Sequence, residues 1–132
     1  MADVLVVEDD TQVRDILTTV LRDEGHKVLV AKDGLEAVDA LLIASRPLVV
    51  LLDLMMPLLG GDAIIHMLEE GDSPLTRHRY VLVTARALML PTDLPPLLRR
   101  FEISVIAKPF DITTILEAVE RASAQLFAGV RA

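Results

Sequence analysis

The sequence predicts a doubly wound α/β fold, with helices on both faces of a five-stranded parallel sheet. Short β-branched runs alternate with helical patterns along the 132 residues, and several of these runs are continuously apolar. No repeat or linker interrupts this order before the last few residues. Continuously apolar strands are typical of parallel sheets that are buried on both faces. Five consecutive βα units therefore predict one sheet with right-handed crossovers.

The predicted strands are short runs rich in valine, leucine and isoleucine. They are expected at residues 4–7, 28–30, 49–52, 80–83 and 103–107. Ligands of such sheets bind outside the carboxyl ends of the strands. Polar residues that follow these runs are therefore the first candidates for a functional site.

Helical patterns fill the gaps between the strands. The first helix carries an apolar stripe and is followed by Gly25, a residue suited to the left-handed end of a helix. Asp33 can cap the second helix, and Pro47 prevents it from continuing. The third helix is expected over residues 61–70, and Asp111 can cap the last. The stripe of the first helix consists of Val13, Ile16, Leu17, Val20 and Leu21.

The fourth helix is predicted to be short, because its sequence contains Pro91, Pro95 and Pro96. Proline is tolerated in the first turn of a helix and disfavoured further along. We therefore expect irregular chain to about Asp93, followed by a helix that ends near Phe101.

The composition narrows the classes of protein to consider. The chain has no cysteine, which excludes a disulfide scaffold and a thiolate metal site. A net charge of -7 argues against a nucleic-acid surface, and it suits cationic partners or a bound metal, although solubility alone would explain it. No apolar run reaches the length of a membrane span, and no basic stretch of a signal peptide is present at the start. We expect a cytoplasmic protein that binds neither membrane nor nucleic acid.

Polar residues follow four of the predicted strands. Glu8 and Asp9 follow the first strand, Asp53 the third, Thr84 the fourth and Lys108 the fifth. Each alone has an ordinary explanation, such as a helix cap or a solvated strand end. Their joint placement at the carboxyl edge of one sheet indicates a site.

These residue types suit phosphoryl transfer. Crowded carboxylates repel each other, and a Mg²⁺ ion with oxygen ligands relieves that repulsion. A carboxylate can also act as a nucleophile and form an aspartyl phosphate. Lys108 would neutralise phosphoryl oxygens, and the Thr84 hydroxyl would donate a hydrogen bond to one of them.

The chain resembles the receiver domain of bacterial two-component response regulators over nearly its whole length. The matching segments are "VLVVEDD", "DGLEA", "LLDLMMPLLGG", "VLVTAR" and "IAKPF", in the order and spacing usual for that family. The resemblance implies a flavodoxin-like (βα)5 fold with strand order 2-1-3-4-5.

The resemblance also assigns roles to individual residues. It implies that Asp53 is the phosphoacceptor and that Glu8 and Asp9 place Mg²⁺, with the backbone carbonyl of Met55 also facing the metal. Thr84 and Lys108 match the pair that binds the phosphoryl group. The Lys108–Pro109 peptide is expected to be cis.

Two features depart from the family pattern. The family commonly has tyrosine or phenylalanine three residues before the lysine, where this chain has Val105. The fourth helix is unusually rich in proline. Both departures lie on the face through which such regulators contact partners, so the sequence favours phosphorylation more strongly than any standard output mechanism.

We interpret the chain as a stand-alone receiver domain over residues 1–128, with a C-terminal tail over 129–132. It would accept a phosphoryl group from a histidine kinase or phosphotransfer protein, as a monomer or a phosphorylation-dependent dimer. It would signal by protein contact through an atypical face formed by the fourth helix, the fifth strand and the fifth helix. It would not be an enzyme beyond its own phosphorylation and dephosphorylation. One alternative is a degenerate receiver fold that binds a partner without phosphorylation. Another is a small Mg²⁺-dependent phosphohydrolase, although no second acid lies two residues after Asp53.

The remaining polar candidates are interpreted as structural. His26, His66 and His78 are far apart in the sequence, and their spacing predicts no metal site. The run Arg77, His78, Arg79 is expected to be a solvated loop.

Overall fold

The computed structural model describes residues 2–131, with side chains through residue 126. Its five strands form one parallel sheet in the order 2-1-3-4-5, counted along the chain, which confirms the predicted topology. The strands are β1 Asp3–Val7, β2 Lys27–Ala31, β3 Val49–Leu52, β4 Arg79–Thr84 and β5 Ser104–Ala107. The helices are α1 Thr11–Asp23, α2 Gly34–Ile43, α3 Gly61–Met67, α4 Leu94–Arg100 and α5 Ile112–Arg131, with a 3₁₀ turn at Pro74–Arg77.

The apolar core forms two layers, one on each face of the sheet. Alternate residues of β1 point to opposite layers: Leu5 and Val7 pack beneath α2, α3 and α4, whereas Val4 and Val6 pack beneath α1 and α5. All four are at most 1% exposed. The continuous apolar character of the strands is thus explained by burial on both faces.

Helix boundaries follow local chemistry. The Asp33 side chain accepts a hydrogen bond from the Glu36 amide at 2.9 Å and caps α2. Gly25 ends the α1 region with a φ of 89°, a conformation that glycine adopts without steric cost. Helix α4 begins at Leu94, with two prolines in its first turn, as predicted.

Helix α3 ends three residues earlier than predicted, at Met67. The amides of Leu68, Glu69 and Glu70 bond to carbonyls three residues back, so the chain tightens into turns instead of continuing the helix. β5 likewise begins one residue later than predicted, at Ser104. The other predicted elements are confirmed to within a residue or two.

The C-terminal helix bears on the predicted domain boundary. Helix α5 continues through residue 128 to Arg131. The division between a domain ending at 128 and a tail over 129–132 stays a prediction, and residue 132 lies outside the described residues. Within the described part of the chain, no helix is both long and apolar enough to cross a membrane.

Candidate functional site

The carboxyl edge of the sheet brings together three acids that are far apart in the sequence. β1 and β3 are paired in register, with Val7 opposite Leu52, so the residues that follow them are neighbours. One carboxylate oxygen from each of Glu8, Asp9 and Asp53 lies within 4.8 Å of the other two. Glu8 and Asp53 are buried, whereas Asp9 is exposed. The sequence prediction of an acidic cluster is therefore confirmed.

Lys108 supplies the positive charge at this cluster. Its Nζ donates to Glu8 Oε1 at 2.5 Å and to Asp53 Oδ2 at 3.1 Å. β4 and β5 are paired so that Thr84 lies opposite Ala107, which places Lys108 directly beyond the sheet. The Lys108–Pro109 peptide is cis, as expected from the resemblance. The Lys108 ammonium thus pairs with two of the three carboxylates, those of Glu8 and Asp53.

Burial and pairing shift the pKa values of two of these groups. Burial raises the pKa of Glu8, and the repulsion of Asp53 acts in the same direction, while the hydrogen bond from Lys108 opposes the shift. Burial alone would lower the pKa of Lys108, but its hydrogen bonds and charge attraction to Glu8 and Asp53 outweigh that effect and raise it. Lys108 is therefore held in its charged form.

The turn between β1 and α1 has its own hydrogen bonds. The Asp10 amide donates to Glu8 Oε2 at 3.2 Å, and Asp10 Oδ1 accepts from the Val13 amide and caps α1. The guanidinium of Arg14 donates to the Glu8 carbonyl at 2.9 Å. Glu8 and Asp9 are thus held in place by hydrogen bonds with residues at the start of α1.

The loop after Asp53 depends on close backbone contacts. A Cβ on Gly61 would lie 2.2 Å from the Asp53 carbonyl oxygen, and one on Gly34 would lie 1.9 Å from the Leu59 carbonyl oxygen. Glycine at both positions allows this loop to pack between β3 and the start of α2. The Met55 amide donates to Asp53 Oδ1 at 3.3 Å. The role of the Met55 carbonyl as a metal ligand stays a prediction.

Thr84 lies at the predicted strand end but is engaged elsewhere. Its side chain is fully buried, and Oγ1 accepts a hydrogen bond from the Arg86 amide at 3.1 Å. Its carbonyl accepts from the Lys108 amide at 2.9 Å. Among the described hydrogen bonds, none joins the Thr84 hydroxyl to Asp53 or Lys108. The structure thus joins Lys108 to the acids and ties Thr84 to the loop after β4.

The donor set suits a hard divalent cation. All three acids offer carboxylate oxygens, and Mg²⁺ prefers oxygen ligands while keeping several waters. Asp9 is open to solvent, which leaves room for those waters. The residues present therefore fit Mg²⁺.

Sequence reasoning missed several structural residues. Arg77 and His78 do not form a solvated loop: Arg77 donates to the carbonyls of Leu41 and Ala44, and His78 is 3% exposed. Their only signal in the sequence is a position just before β4. The contact of Arg14 with the Glu8 carbonyl was also not predicted, although it is local. The contact of Gly34 with Leu59 was not predicted because it depends on how distant segments meet.

Comparison with known proteins identifies the family. The sequence model of the response regulator receiver domain matches residues 4–120. The chain belongs to this family of receiver domains.

Individual relatives agree with this assignment. The chain is 31% identical over 121 residues to sporulation initiation phosphotransferase F of Bacillus subtilis (strain 168), covering 89% of this chain and 90% of that protein. It is 30% identical over 125 residues to the uncharacterized transcriptional regulatory protein YkoG of the same organism, covering 92% of this chain and about half, 51%, of that protein.

A solved structure shows the same fold. The receiver domain protein (CheY-like) of Methanospirillum hungatei JF-1 superposes with a TM-score of 0.80 at 29% sequence identity. The match covers 96% of this chain and 97% of that chain. The strand order and the family are therefore supported by sequence and structure alike.

Proposed function

We propose that this protein is a phosphoacceptor signalling domain that is phosphorylated on Asp53 in a Mg²⁺-dependent reaction. One observation carries the proposal. The Asp53 carboxylate lies within 4.8 Å of two other carboxylates and 3.1 Å from the Lys108 ammonium, at the edge of the sheet where ligands of this fold bind.

The proposed step is a nucleophilic substitution at phosphorus. A carboxylate oxygen of Asp53 attacks the phosphorus of a phosphohistidine, and a P–O bond forms as the P–N bond breaks. The bonding pair returns to the imidazole nitrogen, which leaves as neutral histidine after taking up one proton. The product is an acyl phosphate on Asp53.

Each neighbouring residue has a defined task in that step. Glu8, Asp9 and Asp53 would hold Mg²⁺, together with the Met55 carbonyl, and the bound ion supplies charge neutralisation at the phosphoryl oxygens. The Lys108 ammonium shifts one of its hydrogen bonds from a carboxylate oxygen to a phosphoryl oxygen and neutralises charge there. Thr84 donates a hydrogen bond from its hydroxyl to another phosphoryl oxygen, and Oγ1 remains able to accept from the Arg86 amide.

The phosphodonor is proposed to be a sensor histidine kinase or a histidine phosphotransfer protein. Support comes from the family and from a relative whose name describes a phosphotransferase. We further propose a cytoplasmic location and no enzymatic activity on separate substrates.

The signal is proposed to leave through the segment of residues 87–96. It connects to the site because the Arg86 amide bonds Thr84 Oγ1 and the Arg86 carbonyl accepts from the Met89 amide at 3.0 Å. Leu88 is 99% exposed and Met89 76% exposed, so both are open to a partner, whereas Leu90 packs against the core. Val105 also packs against that core and has no ring to rotate, so the backbone after Thr84 carries the change.

Intact mass spectrometry tests phosphorylation directly. The full chain is incubated with Mg²⁺ and acetyl phosphate, with and without a chelator. We expect one phosphate mass on the wild type, none with the chelator and none on Asp53→Asn. Asp39→Asn, an exposed acid on α2, is the matched control and should be modified like the wild type. An Asp53→Asn protein that gains phosphate at the wild-type rate would disprove the assignment.

Amide hydrogen exchange tests the output segment. With and without a phosphate mimic bound with Mg²⁺, we expect the largest change in residues 85–100, because irregular chain opens at low free energy. Equal protection of these residues in both states would leave only a core-packing role for Leu90 and refute the proposed output.

A further inference from the structure

Arg14 is the positively charged side chain that contacts the backbone of the acidic turn. It lies in the first turns of α1, half-buried, and its Nη1 donates to the Glu8 carbonyl at 2.9 Å. Three acidic residues precede it in the segment between β1 and α1, namely Glu8, Asp9 and Asp10. A cation in that position would be expected to repel a second cation at the site.

The bond from Arg14 fixes the peptide that leads into Asp9. The Glu8 amide is held by the Ala31 carbonyl at 3.0 Å, and the Asp10 amide is held by Glu8 Oε2 at 3.2 Å. The Glu8 carbonyl belongs to the Glu8–Asp9 peptide, so its orientation sets the direction in which the Asp9 side chain leaves the backbone.

Asp9 depends on that backbone for its placement. It is exposed, and among the described contacts its carboxylate makes no hydrogen bond or ion pair. Glu8 and Asp53, by contrast, are both tied to Lys108. The position of the Asp9 carboxylate within the acidic cluster is therefore set by the turn and not by a side-chain partner.

We propose that Arg14 is a positioning residue for divalent-cation binding, because it orients the Glu8–Asp9 peptide and so holds the Asp9 carboxylate beside those of Glu8 and Asp53. This proposal rests on the proposed function, since it concerns the same metal site. Arg14 contacts no ligand itself, and it acts through Asp9.

Charge and positioning predict opposite effects when Arg14 is replaced. If Arg14 acted only as a nearby positive charge, its removal would strengthen cation binding by relieving repulsion. If it positions Asp9, its removal weakens binding despite the more negative site. The sign of the change therefore separates the two roles.

Isothermal titration of the full chain with Mg²⁺ measures that sign. We expect Arg14→Gln to weaken binding about tenfold, at the lower end of what loss of a supporting contact does to a metal site. Arg14→Lys keeps the charge and a hydrogen-bond donor but lacks the planar guanidinium. Its affinity for Mg²⁺ should therefore lie between those of the wild type and Arg14→Gln. Arg22→Gln is the matched control: Arg22 lies at the far end of the same helix and contacts the Val28 carbonyl at 3.5 Å.

The outcomes distinguish this proposal from the proposed function. Mg²⁺ binding by folded Arg14→Gln that equals or exceeds wild-type binding would overturn the positioning role while leaving the phosphoacceptor assignment intact. Equal weakening in Arg22→Gln would overturn it too, because any disturbance of α1 would then weaken binding without the contact between Arg14 and the Glu8 carbonyl. A wild type that neither binds Mg²⁺ nor gains phosphate would refute the proposed function and this proposal together. Thermal unfolding of each variant establishes that it is folded.

Discussion

The two edges of the sheet bury polar side chains in opposite ways. At the amino edge, His78 Nδ1 accepts from the Leu48 amide at 2.9 Å, and its Nε2 lies 2.9 Å from the Leu41 carbonyl. The Tyr80 hydroxyl donates to the Leu75 carbonyl at 2.8 Å. At the carboxyl edge, three carboxylates lie close together, and the Lys108 ammonium pairs with two of them, those of Glu8 and Asp53.

This difference separates structural polar groups from functional ones. Neutral groups whose hydrogen bonds are all formed tie α2, β3 and β4 together, and they stabilise the fold. Like charges held side by side oppose folding and persist where a ligand or a reaction needs them. We infer that the amino edge stabilises the domain, whereas the carboxyl edge gives up stability for its proposed function.

The largest expected effect is at the amino edge. Replacing His78 with leucine would remove both ring nitrogens and leave the Leu48 amide and the Leu41 carbonyl without these partners. At about 1–3 kcal/mol for each buried unsatisfied group, we expect a loss of roughly 3 kcal/mol in the free energy of unfolding. Urea denaturation measures the loss, and phosphorylation of the folded fraction should be unchanged.

An exposed histidine is the control for that change. His66 bonds Glu69 and Asp93, and its side chain is 39% exposed. His66→Leu should therefore change stability by less than about 1 kcal/mol. Similar losses in the two variants would show that the amino edge has no special structural role.

Much of this architecture was predictable from sequence, because strand composition, caps and prolines act locally. The continuous apolar strands gave the parallel sheet, and the short α4 followed from the prolines at its start. The acidic cluster was predictable since the ends of parallel strands meet at one edge. The roles of His78 and Arg77 were not, because their partners Leu41 and Ala44 lie more than 30 residues away in sequence.

A glycine pair tests whether backbone contact shapes the carboxyl edge. Gly34→Ala would place a methyl group 1.9 Å from the Leu59 carbonyl oxygen, so the loop after Asp53 must shift. We expect a loss of about 2 kcal/mol, typical of overpacking, together with slower phosphorylation. Gly71→Ala, whose added Cβ meets nothing within 4 Å, should have little effect on either measurement. Equal behaviour of the two variants in urea denaturation would contradict the close contact.

The pH dependence of the free energy of unfolding is a further test of the amino edge, with a smaller expected effect. Burial lowers the pKa of His78, so protonation favours the unfolded chain. The contribution of His78 to the free energy of unfolding is fully present above its pKa in the unfolded chain, about 6.5. That contribution is lost as the pH falls through the lower pKa of His78 in the folded protein. The stability gap between wild type and His78→Leu should therefore narrow below about pH 6.5. A gap that widens on acidification would show that His78 is charged in the fold.

The free energy of unfolding of Asp53→Asn, measured in urea without divalent cations, tests whether the carboxyl edge gives up stability. The variant removes one of three crowded carboxylates, Lys108 keeps Glu8 as its partner, and the amide oxygen can still accept from the Met55 amide. We predict a stability equal to that of the wild type or higher by up to about 1 kcal/mol, because relief of the repulsion among the carboxylates offsets the lost contact between Asp53 and Lys108, although phosphorylation is lost. A loss of more than about 1 kcal/mol would show the opposite, that the Asp53 charge stabilises the carboxyl edge.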